Sequence, residues 1–276
     1  MHTADRNPHA EPERASKPAR SSRRSLRLAH RFQFPQPVKG SHGEESSLEP
    51  YPPSHHRAST ATRPVLRLDH LTVVAPTLTH GVAHVRHCLD LDVPFGQRHA
   101  YMGTHNHVLQ LGDSVYLEIV ALDPDGKPPA VARWFGLDHA EAVMDDWDAG
   151  RRLRGWVASA ESIDHVLAGR NRVFGTKISL PWVEPRFDFS LMHEGRLPLD
   201  GAAPSIIDRR GMRRSMATMA DLGARLRTFS LAHPNPAGIA ALYEEFAIDR
   251  APTIGPGCDL RYRAQIETPA GIRELY

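Results

Sequence analysis

Apolar and polar positions along this chain change periodicity at a few definite points. In RLDHLTVV, ending at Val74, Leu68, His70, Thr72 and Val74 alternate with Asp69, Leu71 and Val73. Such a β-branched run of period two predicts a strand. Pro76 stops it, because proline cannot donate to the ladder. Thr77 or Thr79 can cap the helix that follows, in which Val82, Val85, Cys88 and Leu89 share a face. Asp90 to Gly96 predicts a turn, and YMGTHNHVLQL an extended segment broken at Gly103. Gly112-Asp113 makes a hairpin turn into VYLEIVA, the clearest strand of the chain. Tyr116, Glu118 and Val120 lie on one face of it, Val115, Leu117 and Ile119 on the other. The order is strand, helix, strand, strand.

The same order returns from about residue 154. Gly155 to Ser159 predicts a strand, and Ser162 to Leu167 a helix ending by Gly169. Ile178–Trp182 and Arg186–Met192 predict extended segments, and Ala203 to Arg209 the counterpart of the strand carrying Glu118. Setting Leu117-Glu118-Ile119 against Ile207-Asp208-Arg209 matches acid with acid. A third echo follows as a strand over Ala224–Ala232, a helix over Ala237–Phe246, and a terminal hairpin bending at Pro269-Ala270-Gly271. This echo is expected to extend the sheet or to pack against one side of it.

Charge divides the chain differently. Residues 1–66 carry eleven Lys/Arg and six Asp/Glu, a net of +5, while residues 67–276 carry 23 and 26, a net of −3. Pro, Ser, Arg and His dominate the first part, with too few apolar residues to offset the cost of ordering a backbone. Residues 1–66 are therefore expected to be a disordered, basic, Pro-rich tail, and residues 67–276 one domain with units at about 67–123, 154–210 and 224–276. The arginines of Ser22-Arg23-Arg24-Ser25 are not followed by the apolar segment that an export signal needs. The basic head has no basic partner in the folded part, so no nucleic acid is expected as a partner. No run approaches the roughly 18 apolar residues of a membrane span. Two cysteines, Cys88 and Cys258, are too few for a disulfide framework and fit a reducing, cytoplasmic setting.

Glu118 lies in the middle of a strongly apolar strand, and a glutamate is seldom buried without a partner. His70, on the matching face of its own strand, is an available one. Alternation sends His105 and His107 to one face and Asn106 to the other, so that a polar ligand could be oriented there, with Tyr101 and Trp134 along an apolar side. His80, His84 and His87 are assigned to the solvated side of their helix. Arg209-Arg210 with Arg213-Arg214 form a local basic patch. No phosphate-binding, dinucleotide-binding, paired-cysteine or nucleophile-elbow motif is present.

LDHLTVVAP, GTHNHVLQLGDSVYLEIVALDPDG and ARWFGLD resemble the glyoxalase-like domain of the vicinal oxygen chelate superfamily. The resemblance spans about residues 67–209 and implies an α+β fold, with paired βαββ units forming a half-open curved sheet around a pocket. It also implies a metal site. A histidine on the first strand and an acid on the last strand of each unit would hold a divalent ion (Zn, Mn, Ni or Fe). Here that means His70, Glu118 and Asp208, whereas Gly155 or Trp156, expected opposite His70, ligates nothing. Two functions follow. One is metal-assisted lyase, isomerase or dioxygenase chemistry on a small polar molecule, with Glu118 and His70 catalytic. The other is binding or sequestering of a small ligand by a pocket whose metal set has decayed. Oligomeric state stays open, a homodimer being one option.

Overall fold

The computed structural model describes residues 65–212 and 216–276. Residues 1–64 of the expected disordered tail fall outside the described residues, as do Arg213 and Arg214 of the basic patch, whereas Leu66, counted with the tail, opens the first strand and is fully buried. The first unit runs through β1 (Leu66–Val74), α1 (Leu78–Leu89), β2 (Phe95–His99), β3 (Thr104–Gln110) and β4 (Tyr116–Leu122). After a 3-10 turn at Trp134–Gly136 and helix α2 (Ala140–Asp148), the second unit runs through β5 (Leu153–Ala160), α3 (Ile163–Leu167), α4 (Asn171–Phe174), β6 (Thr176–Leu180), β7 (Phe187–Leu191) and β8 (Ser205–Asp208). All eight strands form one curved, partly open sheet in the order β2-β3-β4-β1-β5-β8-β7-β6. Each unit thus closes its first strand, in parallel, onto its last, and the two first strands pair antiparallel at the centre. The α+β fold of repeated βαββ-like units is the one expected, with one further strand, β2, after the first helix.

Local chemistry sets these elements. Thr77 caps α1 by accepting from the His80 amide, and Ser162 caps α3 by accepting from the His165 amide. Asp90 ends α1 in the left-handed conformation. Helix α1 lies close on β4, since a Cβ at Gly81 would meet the Ile119 side chain. Two elements depart from the sequence reading. Strand β2 begins at Phe95 and Gly96, ground assigned to a turn, because this edge strand exposes most of its residues and has no apolar alternation to betray it. Helix α2 buries only Val143, Asp146 and Trp147 among its nine residues, too few for a clear stripe.

The third echo forms its own sheet from β9 (Arg225–His233), β10 (Thr253–Pro256), β11 (Arg261–Thr268) and β12 (Gly271–Leu275), in the order β10-β9-β11-β12. Helix α5 (Pro236–Glu245) joins β9 to β10. Its pairing differs from the other units, because β9 runs parallel to the strand directly after the helix rather than to the last one. This sheet packs on the outer face of the large one. Trp156 stacks edge-on against Phe229 and Tyr243, and its indole N–H donates to Tyr262 Oη at 3.0 Å. The outer core includes Leu71, Val73, Leu117, Ile119, Trp156 and Ile206, and a second cluster, with Val74, Val120, Val157 and Ile207, lies on the concave face. Strand β1 is therefore covered on both faces, and all its residues except Arg67 are buried.

Candidate functional site

A β-bulge shapes the start of β1. The β1–β5 register jumps between Leu68 and His70, so Asp69 has no partner across the ladder. The bulge brings two adjacent side chains together, with His70 Nδ1 2.7 Å from Asp69 Oδ1. Asp69 in turn accepts from Arg209, just past β8, through Nε at 3.0 Å and a terminal nitrogen at 2.6 Å. On its other side His70 Nε2 stands 3.4 Å from Glu118 Oε2, an ion-pair distance without a directed hydrogen bond. Glu118 Oε1 accepts from Asn106 Nδ2 at 2.6 Å. The Asn106 carbonyl is held by the Gln97 amide at 2.9 Å, which fixes the direction of the side chain. Tyr116 stacks on the His70 ring with centroids 4.5 Å apart. A continuous polar row thus joins both units, from Arg209 just past β8 through Asp69 and His70 of β1 and Glu118 of β4 to Asn106 of β3.

Charge alternates along this row and fixes the ionisation of its members. Burial alone would push both carboxyls up. For Glu118 the adjacent His70, with His99 and the Asn106 donor, overrides burial and holds it at about 2. Asp69 is likewise held below the usual carboxylate range by His70 and Arg209, against its burial. Burial would lower the imidazole of His70, yet Asp69 and Glu118 raise it above its ordinary value. Desolvation disfavours the Arg209 cation, and Asp69 and Tyr116 more than compensate. Acids and basic groups thus alternate in a space where a single buried charge would be costly.

His70 and Glu118 open onto a cavity of about 50 Å³, whose lining also includes His99, Tyr101, Asn106, Trp134, Phe187 and Phe189. The aromatic rings pack edge to face, with Trp134 5.1 Å from His99 and 5.6 Å from Phe189 between centroids. Two lining nitrogens, His70 Nε2 and Trp134 Nε1, are buried with no hydrogen-bond partner. An unsatisfied buried donor is uncommon and calls for an explanation.

Of the residues singled out in the sequence, the fold brings together His70, Glu118, Asn106, Tyr101 and Trp134 around this cavity. Asp208 stands apart from them. Its Oδ2 accepts from the Ile163 amide at 3.1 Å and its Oδ1 from the Arg210 amide at 2.7 Å, so it is committed to the first amide of α3 and to the turn after β8. The acid-to-acid match is therefore one residue out of register, and in a strand such a slip reverses the face. Neither Gly155 nor Trp156 lies opposite His70. Val157 does, because of the bulge in β1. His105 and His107 do not line the cavity, and His107 Nδ1 lies 2.7 Å from the Val93 carbonyl oxygen. His84, assigned to solvent, is buried against Trp147 of α2 and Tyr276, with Nε2 2.9 Å from the Tyr276 carbonyl oxygen. Arg209 and Arg210 are not a free basic patch, since each is paired, with Asp69 and Asp188. Sequence reasoning missed Asp69, His99 and Phe189. An aspartate directly before the strand histidine was the one signal for Asp69, and it pointed outward under strict alternation.

The register tests the expected metal site. His70 pairs with Tyr116, and Glu118 is two residues on. Across the centre Val157 pairs with Ser205, and two residues on is Ile207. The second half of the donor set is thus Val157 and Ile207, neither with a donor atom. A divalent ion needs about four donors converging at roughly 2 Å, and two do not fit that requirement. Among the described residues, no three His, Cys, Asp or Glu side chains are grouped to hold a metal ion. No helix among them is long and apolar enough to cross a membrane.

No curated protein matches the chain. Among solved structures it is similar to a hypothetical protein from Staphylococcus aureus, with TM-score 0.48 and 11% identity over 76% of this chain and 98% of that one. It is also similar to methylmalonyl-CoA epimerase in complex with methylmalonyl-CoA and NH4+, with TM-score 0.33 and 12% identity over 54% of this chain and 97% of that one. A Streptomyces coelicolor methylmalonyl-CoA epimerase variant gives TM-score 0.32, with the same identity and coverage. The family comparison rests on sequence and covers both paired units. Residues 68–247 match the glyoxalase-like domain model, and the chain belongs to that family.

Proposed function

We propose that this protein binds a small polar molecule at His70 and Glu118, without a tightly held metal. The observation that carries the reading is that two residues lining one cavity, His70 and Trp134, each bury a ring nitrogen with no hydrogen-bond partner. With Nδ1 bonded to Asp69 and a carboxylate 3.4 Å from Nε2, both neighbours favour the protonated imidazole of His70, whose Nε2–H a ligand acceptor would meet. Glu118 keeps Oε2 as an acceptor while Asn106 occupies Oε1. A carbonyl-type acceptor next to an N–H or O–H donor, as in a primary amide, complements this pair. Such a group would relieve a buried unsatisfied donor, an effect of about 1–3 kcal/mol.

Binding is favoured over proton transfer by the state of Glu118. A carboxylate held at about 2 is a weak base, and general-base catalysis works best with a pKa near the operating pH. The test is a titration of the protein with acetamide, followed by the histidine side-chain nitrogen signals, beside dialysis against Zn²⁺ and elemental analysis. A saturable shift of the His70 signal, with far less than one equivalent of zinc retained, is expected. Stoichiometric zinc that is lost in Glu118→Gln would reverse the reading in favour of metal-assisted chemistry.

A further inference from the structure

The cavity at His70 is small. At about 50 Å³ it has room for a head group of a few heavy atoms, whereas ligand sites usually enclose about 300–1,000 Å³. A larger ligand must therefore extend past the rim. Most of the lining residues are buried, and the ones that reach solvent are Gln97, Tyr101, Phe187 and Arg209. Gln97 and Tyr101 belong to the hairpin of β2 and β3 at one edge of the large sheet, and Phe187 opens β7 beside the other edge. Trp182, in the turn between β6 and β7, joins the two edges, its indole N–H donating to the Tyr101 carbonyl oxygen at 3.1 Å. The rings of Tyr101 and Phe187 meet there, with centroids 6.5 Å apart and planes at 66°. They continue a row that descends into the cavity, since Tyr101 stands edge-on to Trp134 at 6.0 Å and Trp134 edge-on to Phe189 at 5.6 Å. Rings favour such contacts because their edges are positive and their faces negative. The row ends at the rim on two half-buried rings, and a further flat ring is the group that extends it.

We propose that the ligand of this site carries its polar head on a flat aromatic ring, which packs against Tyr101 and Phe187 at the rim while the head meets His70 and Glu118. This inference rests on the binding reading above and adds the chemical class of the ligand's body. It makes Tyr101 and Phe187, one from each unit, the residues that select that body.

The probes are acetamide, which has the head alone, and benzamide and cyclohexanecarboxamide, which carry the same head on a flat and on a puckered six-membered ring. Their Kd values are measured by NMR titration of the full chain and of its Tyr101→Leu and Phe187→Leu variants, with thermal melting to verify folding. Benzamide should bind at least about fivefold more tightly than cyclohexanecarboxamide, the size of one or two aromatic contacts. The saturated ring is no less apolar, so burial of area alone cannot produce that order. Each substitution should bring the ratio of the two Kd values toward one, because leucine keeps an apolar contact and removes the ring. Acetamide binding with no preference for benzamide over cyclohexanecarboxamide, or a preference that survives both substitutions, would overturn the aromatic rim while leaving the head site standing. Failure of all three amides to bind would overturn the head site and, with it, this inference.

Discussion

Arg209 and Asp69 lie 140 residues apart in the chain, yet two hydrogen bonds join them across the pseudo-symmetric units. Both side chains are largely buried, at 16% and 8% exposure. The pair does two things at once. It fastens the end of β8 to the start of β1, and it supplies the carboxylate that orients the His70 ring. Removing one partner leaves the other charge buried and unpaired, a loss usually of about 3–5 kcal/mol. Asp69→Asn should therefore cost about 2–4 kcal/mol in urea denaturation, allowing for the amide oxygen that remains. A cost below about 0.5 kcal/mol, the size of an ordinary surface change, would show that the pair is not coupled to the fold.

The pH dependence of stability follows from the signs of the shifts. Glu118 is depressed from 4.5 to about 2 on folding, so its contribution is present above 4.5 and is lost as pH falls toward 2. Asp69 is depressed from 3.8 and acts in the same direction. His70 is raised from 6.5, so its contribution is complete below 6.5 and is lost as pH rises through the folded-state value. Stability should be greatest between these limits and fall on both sides. Urea midpoints across the acid range should show a shallower acid limb in Glu118→Gln, and identical limbs would contradict the assignment.

The register makes a constructive prediction about metals. Val157 and Ile207 occupy the second-unit positions corresponding to His70 and Glu118. Val157→His combined with Ile207→Glu should complete a four-donor set and confer zinc retention of about one equivalent per chain. Elemental analysis after dialysis reads the outcome, with circular dichroism to verify folding. A folded double variant that retains no zinc would mean that the two halves do not converge as the register implies.

Helix α1 offers a packing test away from the site. A Cβ at Gly81 would collide with the Ile119 side chain and crowd Ala75. Overpacking of this kind costs about 1–3 kcal/mol, which outweighs the helix-propensity gain of about 1 kcal/mol. Gly81→Ala should thus lower the melting temperature, and an increase would show that the helix can move off β4 freely.

Every strand named here finds its partners within residues 66–275. A chain beginning at Arg63 should accordingly melt in one cooperative transition close to that of the full chain. Loss of cooperativity would assign the first 62 residues a part in the fold.

Much of the fold was legible in local periodicity. Period-two runs marked β1 and β4, Thr77 and Ser162 marked helix starts, and Gly112-Asp113 marked a hairpin. Face parity within single strands was legible too, which is why His70 and Glu118 were matched correctly. Edge strand β2 and short helix α2 were not, because neither has enough buried residues to impose a period.

The sequence by itself determined which residues could occupy the concave faces of β1 and β4, since alternation is a property of each strand alone. It could not determine the register between units. Asp208 lost its expected place by one residue, and that shift put Ile207 and Arg209 inside instead. It could not reveal the bulge at Asp69 either, because a bulge exists only relative to a partner strand. Asp69, His70 and Arg209 were drawn together only when β1 paired with β5 and β8 closed beside it. The ionisation of the row is likewise a tertiary property, set by buried charges that are adjacent in space and, apart from Asp69 and His70, distant in the chain.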